Sequence, residues 1–106
     1  MIVPRALVQQ NQFDTAISEV ERTLHPQVVR VRYDFGDDAT GDAAVFFRVL
    51  LSDDTASRRD QVLNVADRFE SAIYQRVEPL EQWGVLPYFR YRSQAEQTQL
   101  NDPAWA

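Results

Sequence analysis

Three aspartates crowded into one short stretch, Asp37, Asp38 and Asp42 in GDDATGD, are the first residues of this 106-residue chain whose chemistry could be specific. Carboxylates at such density can hold a hard cation, magnesium or calcium, through oxygen ligands. The spacing does not make an EF-hand, which needs ligands at alternating positions, a central Gly and a Glu closing the loop; GDDATGDAAVFF lacks the full set. Asp and Gly are also what tight turns demand, because the Asp side chain bonds nearby backbone and Gly accepts positive φ. Turn chemistry is the expectation for this loop. No metal or cofactor is assigned, and the three aspartates stand as the candidates should one bind.

A second set is spread along the chain. If the three β-like runs are neighbours in one sheet, the face turned from the core collects Arg30, Arg32, Arg48, Arg90 and Arg92 with Phe46, Leu50, Leu86 and Tyr88. Arg and aromatic residues mixed on a sheet can stack bases and meet phosphates. They are equally the residues enriched in protein interfaces, and the same arginines can pair with Asp34, with Glu residues or with the closing helix. The net charge of -5 weighs against nucleic acid, since a phosphate backbone rewards a cationic surface. The expected partner-binding residues are therefore Arg30, Arg32, Phe46, Arg48, Tyr88, Arg90, Arg92 and Trp105, and the expected partner is a protein, either a basic one or a second copy. All 11 cations are Arg and none is Lys, which suits planar pairing and aromatic stacking, although a bias in coding composition accounts for it too.

An enzyme's usual parts are missing. The chain has no Cys, so it offers no disulfide, thiolate metal site or thiol nucleophile. Its one imidazole, His25, precedes Pro26 at a predicted helix end, where a protonated ring would meet the last carbonyls. No phosphate-binding loop, dinucleotide fingerprint or nucleophile elbow occurs.

The elements that must position these residues follow from periodicity. Residues 1–10 form an arm with Ile2, Val3, Leu7 and Val8. Phe13, Ile17, Val20 and Leu24 then recur at helical spacing from Asn11 and predict a helix ending near His25. Val28 to Leu51 predicts two antiparallel strands around the acidic loop, with Val29, Val31, Tyr33 and Phe35, and then Val45, Phe47, Val49 and Leu51, facing the core. Residues 52–57 supply a turn with Thr55 and Ser57 as N-cap candidates. A long helix is expected to carry Val62, Ala66, Phe69, Ile73 and Val77 on its inner face and to stop at Pro79. Leu80 to Gly84 reads as a turn, and Val85 to Arg92 as a third strand that Pro87 places at an edge or a bulge. Residues 93–106 are expected to form a short helix opened by a Ser93/Glu96 capping box, then a tail whose Trp105 either folds back or docks on another subunit.

The expected architecture is α+β: one domain over residues 1–106, an α-β-β-α-β sandwich with a three-stranded, mainly antiparallel sheet and two helices packed on one face. No apolar run of about 18 residues is present and the first residues are too briefly apolar for a secretory signal, so a cytoplasmic protein that does not enter the membrane is expected.

The element order over Phe13 to Arg92 resembles the cytoplasmic dimerisation domain of cation-efflux transporters, although the metal-binding His residues of that family have no counterparts here. The stretch YDFGDDATGDAAVFFRVLLSDD also resembles the small nucleotidyltransferase-like antitoxins that neutralise HEPN-type ribonucleases. Phe35 and Gly36 match that family's Phe-Gly-Ser, with Asp37 in place of Ser; Asp42 matches its first carboxylate, and Ala44 replaces the second. The third strand carries no acid, so two-metal phosphoryl transfer is not implied. Together these observations lead to the expectation of a small acidic, non-catalytic interaction or regulatory domain, an antitoxin-like neutraliser of a basic partner. The alternatives are a divergent metal-dependent nucleotidyltransferase-like protein using the loop aspartates and a self-associating structural module.

Overall fold

Burial of the 13/17/20/24 stripe organises the first half of the molecule. In the computed structural model, which describes residues 3–106, Arg5–Val8 (α1) and Gln10–Thr23 (α2) are separated by a non-helical Gln9, and Phe13, Ile17, Val20 and Leu24 all lie in the core. Ile2 of the expected arm lies outside the described residues. Val3 and Pro4 lie outside any helix and the arm is helical over Arg5–Val8, with Ala6 fully buried and Arg5 stacked 4.6 Å over the Trp83 ring. Past α2, His25 is exposed.

Val28–Asp37 (β1) and Ala43–Leu51 (β2) form the antiparallel pair that alternation predicts. The register shifts between Val28 and Arg30, and this bulge corrects one residue of the inner face: Val28, not Val29, enters the core beside Val31. On β2, Val45, Phe47, Val49 and Leu51 are buried as the period of two requires.

Ser52, rather than Thr55 or Ser57, caps the next helix, Asp53–Ala56 (α3): its Oγ accepts the Thr55 N–H at 3.2 Å. Thr55 is itself buried, its hydroxyl accepting from Ser52 Oγ at 2.8 Å, and Ser57 donates back to the Asp54 carbonyl at 2.8 Å, so neither is free to cap Arg59–Ala72 (α4). The inner face of α4 is set by Val65 and Phe69, with Val62 and Ala72 beside them, and it continues into Ile73 and Val77; Ala66 is only half-buried. Residues spaced by four drift about 40° per step around a regular helix. A wider π-turn over Ile73–Val77, closed by the Glu78 N–H on the Ile73 carbonyl at 3.0 Å, takes up that drift and keeps Val77 inside. Glu78 is left-handed, with φ 52°.

Pro79 ends the long helix as expected and begins a short one, Pro79–Trp83 (α5), where the missing N–H has no intrahelical partner to lose. Gly84, at φ 73°, closes α5 in a conformation that favours glycine. Leu86–Ser93 (β3) then pairs with β2 in parallel, giving a mixed sheet in the order β1-β2-β3 with β3, and its Pro87, at an edge. The 34 residues between β2 and β3 carry three helices, long enough for the crossover that a parallel pair needs. The class is α+β, with one core between the helices and one face of the sheet. Among the described residues no helix is long and apolar enough to cross a membrane.

Gln94–Leu100 (α6) is capped by Ser93 Oγ on the Glu96 N–H at 3.0 Å, as the Ser/Glu spacing predicts. After a left-handed Asn101 the chain makes a short 3-10 turn over Pro103–Trp105, and Trp105 folds back, 5% exposed, against its own sheet.

Candidate interaction face

Registers on both sides of β2 lay the outer face out as a grid. Asp34, Phe46 and Tyr88 form one row across the three strands; Arg32, Arg48 and Arg90 form the next; Arg30, Leu50 and Arg92 form the third. All seven expected sheet-face residues therefore share one surface. The grid depends on β3 being parallel, since that register sets Tyr88 beside Phe46 and Arg90 beside Arg48.

The face is divided. Its third row is covered by the chain's own residues 102–106, where Arg30 Nη2 donates to the Trp105 carbonyl at 3.0 Å and the Arg92 guanidinium lies 4.3 Å over the indole; from the second row the exposed Arg32 adds a bond from its Nε to the Ala106 carbonyl at 2.8 Å. Arg92 also reaches Gln97 Oε1 at 2.8 Å and the Asp102 carboxylate at 3.8 Å. Beneath this cover Leu50, an outward residue, is only 4% exposed. Of the two places expected for Trp105, its own domain or another subunit, the chain takes the first, because an indole on a guanidinium and an apolar floor is removed from water close to α6.

The other half is open. Phe46 and Tyr88 stack with centroids 5.5 Å apart and planes 22° apart, and with Arg48 and Arg90 they line a hollow of about 420 Å³. Arg48 pairs with the exposed Asp34 at 3.1 Å, whereas exposed Arg90 has no hydrogen-bond or ion-pair partner among the described residues. The Phe46 ring can lie this way because Gly36 sits beneath it; a Cβ there would meet the ring at 3.2 Å. Around the β3 edge the surface continues into a hollow of about 200 Å³ lined by Tyr74, Pro79, Leu80, Leu86, Pro87 and Tyr88. Tyr74 is 55% exposed, Leu80 52% and Tyr88 42%, an unusual concentration for neighbouring large side chains. Tyr74 and Leu80 escaped sequence reasoning. Tyr74 lies within the π-turn and Leu80 just past the left-handed Glu78, and only Pro79 marked that irregularity in the sequence.

The acidic loop is held by its own side chains. Asp38 Oδ1 accepts the Thr40 N–H, the Thr40 hydroxyl and the Asp42 N–H at 2.9, 2.7 and 2.9 Å, and Oδ2 accepts the Tyr88 hydroxyl at 2.9 Å. Donation by Thr40, the Asp42 backbone and Tyr88 holds the Asp38 carboxyl down at about 2, and the same contact raises the Tyr88 phenol. Asp42 joins this network, its carboxylate accepting the Thr40 hydroxyl at 3.0 Å, and with Asp37 it lines a hollow of about 500 Å³ toward α1. Among the described residues no three acidic or imidazole side chains gather where they could hold a metal ion. On the far side of the sheet, Tyr91 and Tyr33 are pushed well above the usual phenol range by burial and by bonds to Glu70 and Asp14.

No family model, curated protein or solved structure matches this chain.

Proposed function

We propose that the chain is a non-catalytic protein-interaction domain of the cytoplasm, an antitoxin-like neutraliser that docks a basic protein through the open half of its sheet. The observation that carries this reading is the continuous surface from Phe46, Arg48 and Arg90 through Tyr88 to Leu80 and Tyr74, left uncovered while the chain covers the rest of the same face. Stacked aromatics beside guanidinium groups supply contact area and bidentate donors together, the composition of residues that dominate interface energies. The net charge of -5 would steer a cationic partner at a distance, and Arg48 and Arg90 would bond its acceptor groups on contact. Asp38 commits one oxygen within the loop and the other to Tyr88 on β3, which supports a structural rather than a catalytic role there.

The test is co-purification from the native host with mass spectrometry, comparing the natural chain with Arg90→Glu and Leu80→Glu. Both sites are exposed, so folding should survive. A protein retained by the natural chain and lost from both variants is the expected result. Recovery of the chain alone, or of a partner indifferent to both substitutions, would overturn the reading.

A further inference from the structure

The covered half of the sheet shows which chemistry that half accepts, because a ligand of known sequence already occupies it. The seat consists of Arg30, Arg32, Leu50 and Arg92; the occupant is residues 102–106, which bring an indole, two backbone carbonyls and a carboxylate. We propose that this seat also accepts residues 102–106 of a second copy, so that two chains exchange these segments reciprocally. The inference uses the covered half and does not rest on the open half proposed above as a docking surface.

Three observations carry it. First, the junction is a single left-handed residue: Asn101, between α6 and the segment, holds φ 49° and ψ 45°, a conformation Asn tolerates better than other side chains, and a change of its two dihedrals re-aims the segment. Straightening there extends α6 and swings Trp105 off its own sheet. Second, α6 contributes no buried residue and leaves Leu100 exposed, so little else holds the lever down. Its ties to the body include the Ser93 cap and the Ala95 N–H on Asp53 Oδ1 at 2.8 Å. Third, the seat as filled in cis leaves the buried Arg30 Nε without an acceptor, although the guanidinium's Nη2 is bonded. A buried donor without a partner is a defect that a differently angled segment can repair.

Exchange keeps the contacts between seat and segment, since each seat receives the same residues, and gives up the bond from Gln97 Nε2 to the Asp102 carbonyl at 2.7 Å that spans the hinge; the two-fold arrangement closes on itself. The cis arrangement prevails at dilution because a short tether gives an effective concentration on the order of millimolar. Exchange therefore increases with concentration.

Complementation tests this directly. Trp105→Ala keeps the seat and spoils the segment; the pair Arg30→Ala and Arg92→Ala keeps the segment and spoils the seat. In sedimentation and native mass spectrometry each variant alone should be monomeric, an equimolar mixture should contain a 1:1 heterodimer, and the natural chain should dimerise with concentration. Asn101→Ala should strengthen that dimer and Asn101→Gly weaken it, each on the order of tenfold. Should the seat variant fail to fold, an isotope-filtered NOE on mixed labelled and unlabelled natural chain gives the same answer: a Trp105 to Leu50 contact between chains supports exchange, and one only within a chain overturns it. A natural chain that stays monomeric, a mixture that does not pair, or a Trp105→Ala chain that dimerises as the natural one does would each overturn it as well.

Discussion

The guanidinium of Arg92, near the end of β3, lies 4.3 Å over the indole of Trp105, and this pair closes a small apolar patch on the side of the sheet opposite the core. Leu50 and Trp105 are buried there but belong to none of the main core's packing. Arg92→Ala should therefore cost about 1 to 2 kcal/mol, the range of a desolvated cation-π contact with its hydrogen bonds. The loss should be local: faster hydrogen exchange at residues 102–106 and a red shift of Trp105 emission, with Trp83 unchanged. Global unfolding by Arg92→Ala would show that the patch is part of the main core.

The acidic loop makes a pH prediction. Asp38 ionises at about 2 in the folded chain, against an ordinary value of 3.8, because Thr40, Asp42 and Tyr88 donate to its charged form. The folded state thus binds this proton more weakly than the unfolded chain, so the stabilisation is fully present above 3.8 and is lost as the pH falls toward 2. In an NMR titration the Asp38 carboxyl carbon and the Thr40 and Asp42 amides should move together with that low midpoint. An ordinary carboxylate midpoint would mean that Asp38 does not anchor the turn.

Gly36 and the ring of Phe46 are in contact across the β1/β2 ladder. Gly36→Ala should tilt the Phe46 ring and open the Phe46/Tyr88 stack, a cost of about 1 kcal/mol with the main fold retained. The readout is the ring-current shift of Tyr88. Unchanged Tyr88 resonances would show that β1 yields instead.

Within α4 the inner and outer faces should differ sharply. Phe69 is fully buried against Phe47 and Phe89, and Phe69→Ala should cost about 3 to 5 kcal/mol in denaturant unfolding. Leu63, 61% exposed on the same helix, should tolerate Ala within about 0.5 kcal/mol. Similar losses at the two positions would contradict the helix orientation described above.

A third case separates packing from hydrogen bonding. Tyr91 donates to Glu70 Oε2 at 2.7 Å from β3 to α4. Tyr91→Phe keeps the ring and removes the donor, and should lower stability by about 1 kcal/mol in the same assay. No loss would show that water replaces the hydroxyl freely.

Local rules read well wherever the pattern is a property of one element. The 13/17/20/24 stripe, the inner face of β2, the Ser93 cap and the stop at Pro79 are each dictated by spacing or by one residue's backbone chemistry. Misreadings cluster where one residue is inserted or one bond is diverted. The bulge replaces Val29 by Val28, the π-turn absorbs the drift of α4 while the inner face passes through Val65, and Ser52 captures the cap because Thr55 is drawn inward.

The amino-acid sequence by itself determined the α+β class, which side chains face outward on the strands beyond the bulge at Val28 and Val29, and that Arg and aromatic residues share the outer surface, since a period of two requires no knowledge of neighbours. Tertiary structure alone decided the parallel register of β3, the division of that surface and the place of Trp105. Those depend on which strands meet and where a distant segment comes to rest. Contacts made across 70 residues or more, as between Arg30 and Trp105, are fixed by the packing of everything between them and leave no periodicity to read.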